Sequence, residues 1–117
     1  MPKKIKTKVA GVTFEGRQKI IKKHVRAGKS LQLIREPNNP HSRKGNATGI
    51  WIVAKKGLFG GQQHLQIGYL NSDLAEEIAP LLDAKWRYSC YVSAVTGGTR
   101  QKKTRGVNVH ITLAKPE

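Results

Sequence analysis

Residues 107–113 carry an apolar side chain at every second position: Val107, Val109, Ile111 and Leu113, separated by Asn108, His110 and Thr112. A period of two belongs to a strand with one buried face. This segment therefore commits the chain to a sheet with a wet side and a dry side. Trp86, Tyr88, Cys90, Val92 and Ala94 repeat the pattern upstream and are expected to share one face of a neighbouring strand. Between the two runs lies Thr96-Gly-Gly-Thr-Arg-Gln-Lys-Lys-Thr-Arg-Gly106, whose turn-forming residues predict a hairpin tip.

The remainder adds shorter elements of the same kind. Residues 5–14, IKTKVAGVTF, predict a first strand with Val12 and Phe14 on one face. Residues 1–4 read as a flexible basic end, leaving 5–117 as a single domain, which suits the 117-residue length. Glu15-Gly16 breaks the strand. Residues 17–25, RQKIIKKHV, then suit a short helix in which Ile20 and His24, and Ile21 and Val25, are i,i+4 neighbours. Leu31–Arg35, Ile50–Ala54 and Leu65–Leu70 predict three more strands, with a glycine-rich turn over 55–64. Asn71 or Ser72 caps a second helix. Leu74, Ile78, Leu81 and Leu82 form its apolar stripe, and Pro80 is expected to kink or split it. The sum is a mainly β fold of about six strands and two short helices, and hairpin-linked antiparallel strands in this number predict a small closed or partly closed barrel.

Charge narrows the function. The chain has 22 Lys and Arg against 7 Asp and Glu, a net +15. Asp73, Glu76, Glu77 and Asp83 fall together on the second helix, so only three acidic residues lie elsewhere. Such a field repels itself and draws polyanions, nucleic acid first and an anionic membrane surface second. No run of 18 apolar residues is present, and no apolar signal core follows the basic start. A cytoplasmic location without membrane association is expected, nucleoid-associated in a bacterium.

The candidate site centres on residues 37–49, a polar connection between two apolar runs, entered through Arg35-Glu36-Pro37-Asn38-Asn39-Pro40-His41. A connection this long in a small domain is more often functional than idle, the alternative being a solvated hairpin loop. Basic residues recur at Lys3–Lys8, at Arg43 and Lys44 in this loop, and at Arg100, Lys102, Lys103 and Arg105 in the second hairpin. Phe14, His41 and Tyr69 interleave as rings on which single-stranded bases could stack; core packing is the competing reading for Phe14 and Tyr69.

Other chemistries find little footing. Gly28-Lys29-Ser30 resembles the end of a phosphate-binding loop, but Lys23 stands where that pattern needs glycine. The four histidines are scattered and Cys90 is single, so neither a metal site nor a disulfide framework is expected, nor any cofactor. Cys90 reads as a small buried hydrophobe. Glu15, Glu36 and His41 could form an acid–base group only without a nucleophile or oxyanion element, so an enzyme is not expected.

Three segments resemble the HIRAN domain, a module found alone in bacteria and phages and fused to helicase-like DNA-repair proteins in eukaryotes. They are Val9-Ala-Gly-Val-Thr-Phe14, Arg35 to His41 with Asn46-Ala47, and Gly68-Tyr-Leu-Asn-Ser-Asp-Leu-Ala75 with Ala79-Pro-Leu-Leu-Asp83. The resemblance implies an OB-like β-barrel that binds single-stranded DNA, with a preference for 3′ ends, in DNA repair or replication. It implies that Thr13, Phe14, Asn39, His41 and Ser42 surround the terminal nucleotide. Ser42 stands where the family often carries an acidic residue that meets the 3′ hydroxyl, and Arg43-Lys44-Gly45 lengthens the loop. The expected nucleic-acid contacts are these residues with Arg35, Arg43, Lys44, Tyr69 and the second hairpin's Arg100, Lys102, Lys103 and Arg105. Binding of RNA or duplex by charge alone is one alternative. A protein-interaction module using the acidic helix 72–83 or a strand edge is another.

Overall fold

In the computed structural model, residues 2–40, 42–58 and 60–117 are described, with the backbone alone for Arg43. The alternating C-terminal segment forms β6, Gly106–Ala114, with Val107, Val109, Ile111 and Leu113 fully buried. It lies between β1, Lys3–Lys8, and β5, Arg87–Thr96, both antiparallel to it. A second antiparallel sheet places β3, Thr48–Lys55, between β2, Gln32–Arg35, and β4, Gln62–Tyr69. Among the described residues two helices complete the fold: α1, Arg17–His24, packs on β4, and α2, Ser72–Asp83, follows β4 directly.

The fold of the described residues is thus mainly β, with six strands in two three-stranded antiparallel sheets and two helices. A single closed barrel is not what the strand pairing forms. The sheets meet at isolated bridges, Ala10 with Tyr69 and Ser30 with Tyr91. Gly68 permits the first of these. A Cβ there would run into the Ala10 carbonyl and a Val9 methyl, so only glycine lets the end of β1 lie against β4. One apolar cluster fills the interior, drawing Ile21 and Val25 from the α1 region, Ile50, Ile52 and Ile67 from β3 and β4, Ile78 from α2, and the inner residues of β5 and β6.

Several boundaries differ from the sequence pattern for local reasons. β1 begins at Lys3, where Lys3 and Lys4 pair with Leu113 and Thr112, and it ends at Lys8. Gly11, at φ 72°, turns the chain out of the strand, so Val12 and Phe14 do not share a strand face and Phe14 is 62% exposed. In β5 a bulge between Val92 and Ala94 shifts the alternation: Val95, not Ala94, packs on the core. Tyr88 is partly exposed, and its hydroxyl meets the backbone of Leu33. β4 begins at Gln62, shortening the turn before it. Helix α2 runs unsplit through Pro80, which lies on its exposed face, where the carbonyl freed one turn earlier can be hydrated. Its N-cap is Asn71, whose Oδ1 accepts the Leu74 N–H at 2.9 Å. Among the described residues no helix is long and apolar enough to cross a membrane.

Candidate nucleic-acid interface

The connection from β2 to β3 is braced from both ends. Arg35 donates to four acceptors. Nε and Nη2 grip the Asp83 carboxylate at 3.0 and 3.2 Å, while Nη1 and Nη2 reach the carbonyls of Ala47 at 2.6 Å and Gly45 at 2.7 Å. One guanidinium thus ties the loop to the end of α2. The backbone adds Glu36 N–H to the Ala47 carbonyl at 2.8 Å and Ser42 N–H to the Asn39 carbonyl at 2.9 Å. The Ser42 hydroxyl accepts the Ala47 N–H at 2.8 Å. Arg43–Gly45 forms a short 3-10 turn in which Lys44 adopts a left-handed conformation. His41 and the side chain of Arg43, both expected in the site, lie outside what is described.

A second network fixes the loop to β4. The Glu36 carboxylate accepts from the Tyr69 hydroxyl at 3.0 Å, Asn39 Nδ2 at 3.2 Å and Gln66 Nε2 at 3.4 Å. Asn39 Nδ2 is also 3.2 Å from the Tyr69 hydroxyl. Gly49 makes room for this. A Cβ there would stand 2.6 Å from Glu36 Oε2, 2.7 Å from Trp51 Nε1 and 2.9 Å from Gln66 Nε2. Glu36 is therefore the hub of a polar cluster rather than a surface acid.

Tyr69 and Asn39 divide two clefts. The first, of about 150 Å³, is lined by Asn39, Ser42, Asn46, Ala47, Tyr69, Leu70, Ser72 and Ala75, and so sits over the first turns of α2. The second, of about 520 Å³, is lined by Ala10, Gly11, Phe14, Glu15, Arg17, Asn39 and Tyr69. Segments far apart in sequence thus converge: the 10–17 turn, the long loop and the β4–α2 junction.

Arg17 is the residue in this group that sequence reasoning missed. It is 5% exposed, yet it lines the second cleft. Its guanidinium lies 5.3 Å from the centre of the Tyr69 ring, donates to the Gly11 carbonyl at 2.7 Å and meets the exposed Glu15 carboxylate at 3.4 Å. A guanidinium has five donors, more than these acceptors use. The signal was available: Arg17, Ile21 and Val25 follow one another at i, i+4 and i+8, so Arg17 lies on the buried stripe of the helix.

The remaining expected residues divide. Thr13 is exposed beside Phe14, outside both cleft linings. Lys44 is exposed and pairs with Glu76 at 3.5 Å. Arg100, Lys102 and Lys103 are exposed at the hairpin tip, and Arg105 is half-buried, its guanidinium against Gly98. None of the four lines either cleft. The hairpin base is nonetheless tied to the cleft rim through Gln18, which bonds the Val12 carbonyl at 3.0 Å and both backbone groups of Arg105 at 2.8–2.9 Å. Three acids of α2 are engaged within the chain: Glu77 with Lys3, Glu76 with Lys44 and Asp83 with Arg35.

Burial pushes the Cys90 thiol up to about 12, which keeps it protonated and poorly nucleophilic. Among the described residues no three His, Cys, Asp or Glu side chains gather into a metal-binding group.

A sequence model of the HIRAN domain family matches residues 3–113. No curated protein matches the sequence. The structure is similar to the crystal structure of a protein from Lactobacillus plantarum, with a TM-score of 0.65, 19% identity, and coverage of 97% of this chain and 99% of that one. At that identity the likeness supports the fold alone.

Proposed function

Since the chain belongs to the HIRAN domain family, whose members are nucleic-acid-binding modules, we propose that it binds single-stranded DNA in the paired clefts beside Tyr69, by contact and without chemistry. The observation that carries this reading is the joining of unlike groups at one place. An exposed ring, Phe14, a second ring, Tyr69, and the buried cation Arg17 line one cleft, and the loop that carries Asn39 and Ser42 closes the other. Rings take unpaired bases, and a desolvated guanidinium takes a phosphate oxygen better than a surface lysine does. The first cleft also faces the N-terminal turns of α2, whose peptide dipoles favour an anionic group.

A strand end suits the smaller cleft. Ser42 can hydrogen-bond a terminal hydroxyl, though without the charge that a carboxylate would bring. We read the two sheets, joined at Ala10–Tyr69 and Ser30–Tyr91, as an OB-like barrel that holds these loops in place. A role inside the cell, on DNA under repair or replication, follows from the same reading. The protein-interaction alternative loses support because three of the four acids on α2 are paired internally.

The test is a titration with matched oligonucleotides: DNA with free and blocked 3′ ends, and RNA of equal length. The expected log K falls with log salt at about 0.7 per phosphate contacted, DNA binds more tightly than RNA, and blocking the 3′ end weakens binding. Salt-independent binding, or none, would reject nucleic acid as the ligand. Equal affinity for blocked and free ends would reject end recognition alone.

A further inference from the structure

The outer face of the β1–β6–β5 sheet takes no part in the clefts beside Tyr69, and alternation dictates what it carries. Because Val109, Ile111 and Leu113 point into the core, Asn108, His110 and Thr112 lie on the opposite face, where all three are half-buried and Asn108 Oδ1 is itself buried. Their cross-strand partners are Lys8, Lys6 and Lys4 on β1, and Tyr91 and Ser89 on β5 stand opposite His110 and Thr112. All three lysines are exposed, and Tyr91 is 40% exposed. The rings of Tyr91 and His110 lie 5.1 Å apart at 48°, and the Tyr91 hydroxyl is 3.0 Å from His110 Nδ1. Lys4, Lys6, Tyr91, His110 and Thr112 border a shallow depression of about 520 Å³. None of the three strands contains a single Asp or Glu.

Two ordinary explanations fit less well. A cross-strand ring pair stabilises a sheet, but it does not account for three lysines beside it that make no ion pair among the described residues, although Lys6 shares a depression with Asp73 and Glu77. Lysines also guard exposed sheet edges. Here α2 and its cap are already tied to the edge strand β1 by the Lys3–Glu77 ion pair and the Asn71 Nδ2 to Thr7 Oγ1 bond at 3.2 Å. Side chains two apart on a strand are spaced by about 6.7 Å, so the lysines form a straight row. That row leads to Ala10, which lines the second cleft.

We propose that this sheet face is a second contact surface for single-stranded nucleic acid. Bases lie against Tyr91 and His110, and phosphates run along Lys8, Lys6 and Lys4 as the strand leaves the cleft. The inference rests on the chain being a nucleic-acid binder.

The test compares two single-stranded DNA oligonucleotides, one of about 4 nucleotides that fills the clefts and one of about 16 that also crosses the sheet. The full chain is titrated as wild type, as Lys4→Ala/Lys6→Ala/Lys8→Ala, as Tyr91→Ala, and as Lys19→Ala/Lys22→Ala/Lys23→Ala. The last removes the same charge from the exposed side of α1. The first triple variant and Tyr91→Ala are expected to lose about tenfold or more in affinity for the long oligonucleotide and to bind the short one as wild type does. The control triple variant should lose much less. Equal losses in the two triple variants, or no loss on the long oligonucleotide, would overturn the second surface while leaving the clefts intact. A wild-type chain that binds neither oligonucleotide would overturn both readings. If Tyr91→Ala does not fold, the exposed lysine variant decides the matter.

Discussion

The two long polar loops look alike in sequence and differ in how they are held. The described part of residues 36–47 is fastened at several points, by Arg35 to Asp83 and to the Gly45 and Ala47 carbonyls, by Glu36 to Tyr69 and Asn39, and by Ser42 to Ala47. The hairpin tip at 97–105 is fastened at its base through Gln18 and at its turn by Thr99 to Lys102, while Arg100, Lys102 and Lys103 stand in solvent. The first arrangement limits conformational loss on binding and so can discriminate between ligands. The second supplies a field that attracts any polyanion and is screened by salt. The cations on the two loops thus do different work. Arg35, expected to touch the ligand, is also a strut that ties the loop to the end of α2.

Substitutions should separate the two regions. The largest effect is expected from Gly68→Ala, because its Cβ would collide with backbone at the Ala10–Tyr69 bridge. A loss of about 3 kcal/mol, the upper end for overpacking, should appear as a lower urea midpoint. Arg35→Ala follows, at about 2 kcal/mol, since it strands two carbonyls and Asp83. If its midpoint matches wild type, the loop is not held as described. Tyr69→Phe keeps the ring but removes the bond to Glu36, and should cost about 1 kcal/mol. The hairpin variant Arg100→Ala/Lys102→Ala/Lys103→Ala should change stability by less than about 0.5 kcal/mol. It should instead flatten the salt dependence of DNA binding by about 2 in slope. A clear stability loss there would erase the contrast between the loops. The smallest expected effect is at Cys90. Its thiol, raised to about 12, should resist alkylation in the native protein at pH 8 and react once the chain is unfolded.

Much of the scaffold was legible because burial writes itself into periodicity. β6, the amphipathic α2 and the Ile21–Val25 pair all appear where alternation or helical spacing places them. What was not legible depends on contacts between distant segments. The bulge after Val92 transfers the inward position from Ala94 to Val95, and it answers to the pairing with β6 rather than to any β5 residue. Phe14 leaves the strand because Gly11 takes a left-handed turn, whose space is set by Arg17, with a Gly11 Cβ only 3.1 Å from Nη1. Arg17 was not singled out, because its meaning depends on Tyr69: the buried stripe it shares with Ile21 and Val25 sets its guanidinium over a ring more than fifty residues away. Glu36 likewise becomes a hub only when β4 brings Gln66 and Tyr69 to it.

The central claim, that nucleic acid sits in the clefts flanking Tyr69, is tested most directly by titrating single-stranded DNA into isotope-labelled protein and following backbone amide resonances. The account predicts that the largest shifts fall at residues 10–17, 38–47 and 68–75, with smaller ones spreading along β1. Shifts confined to residues 97–105, or absent from all three segments while the DNA is bound, would contradict it.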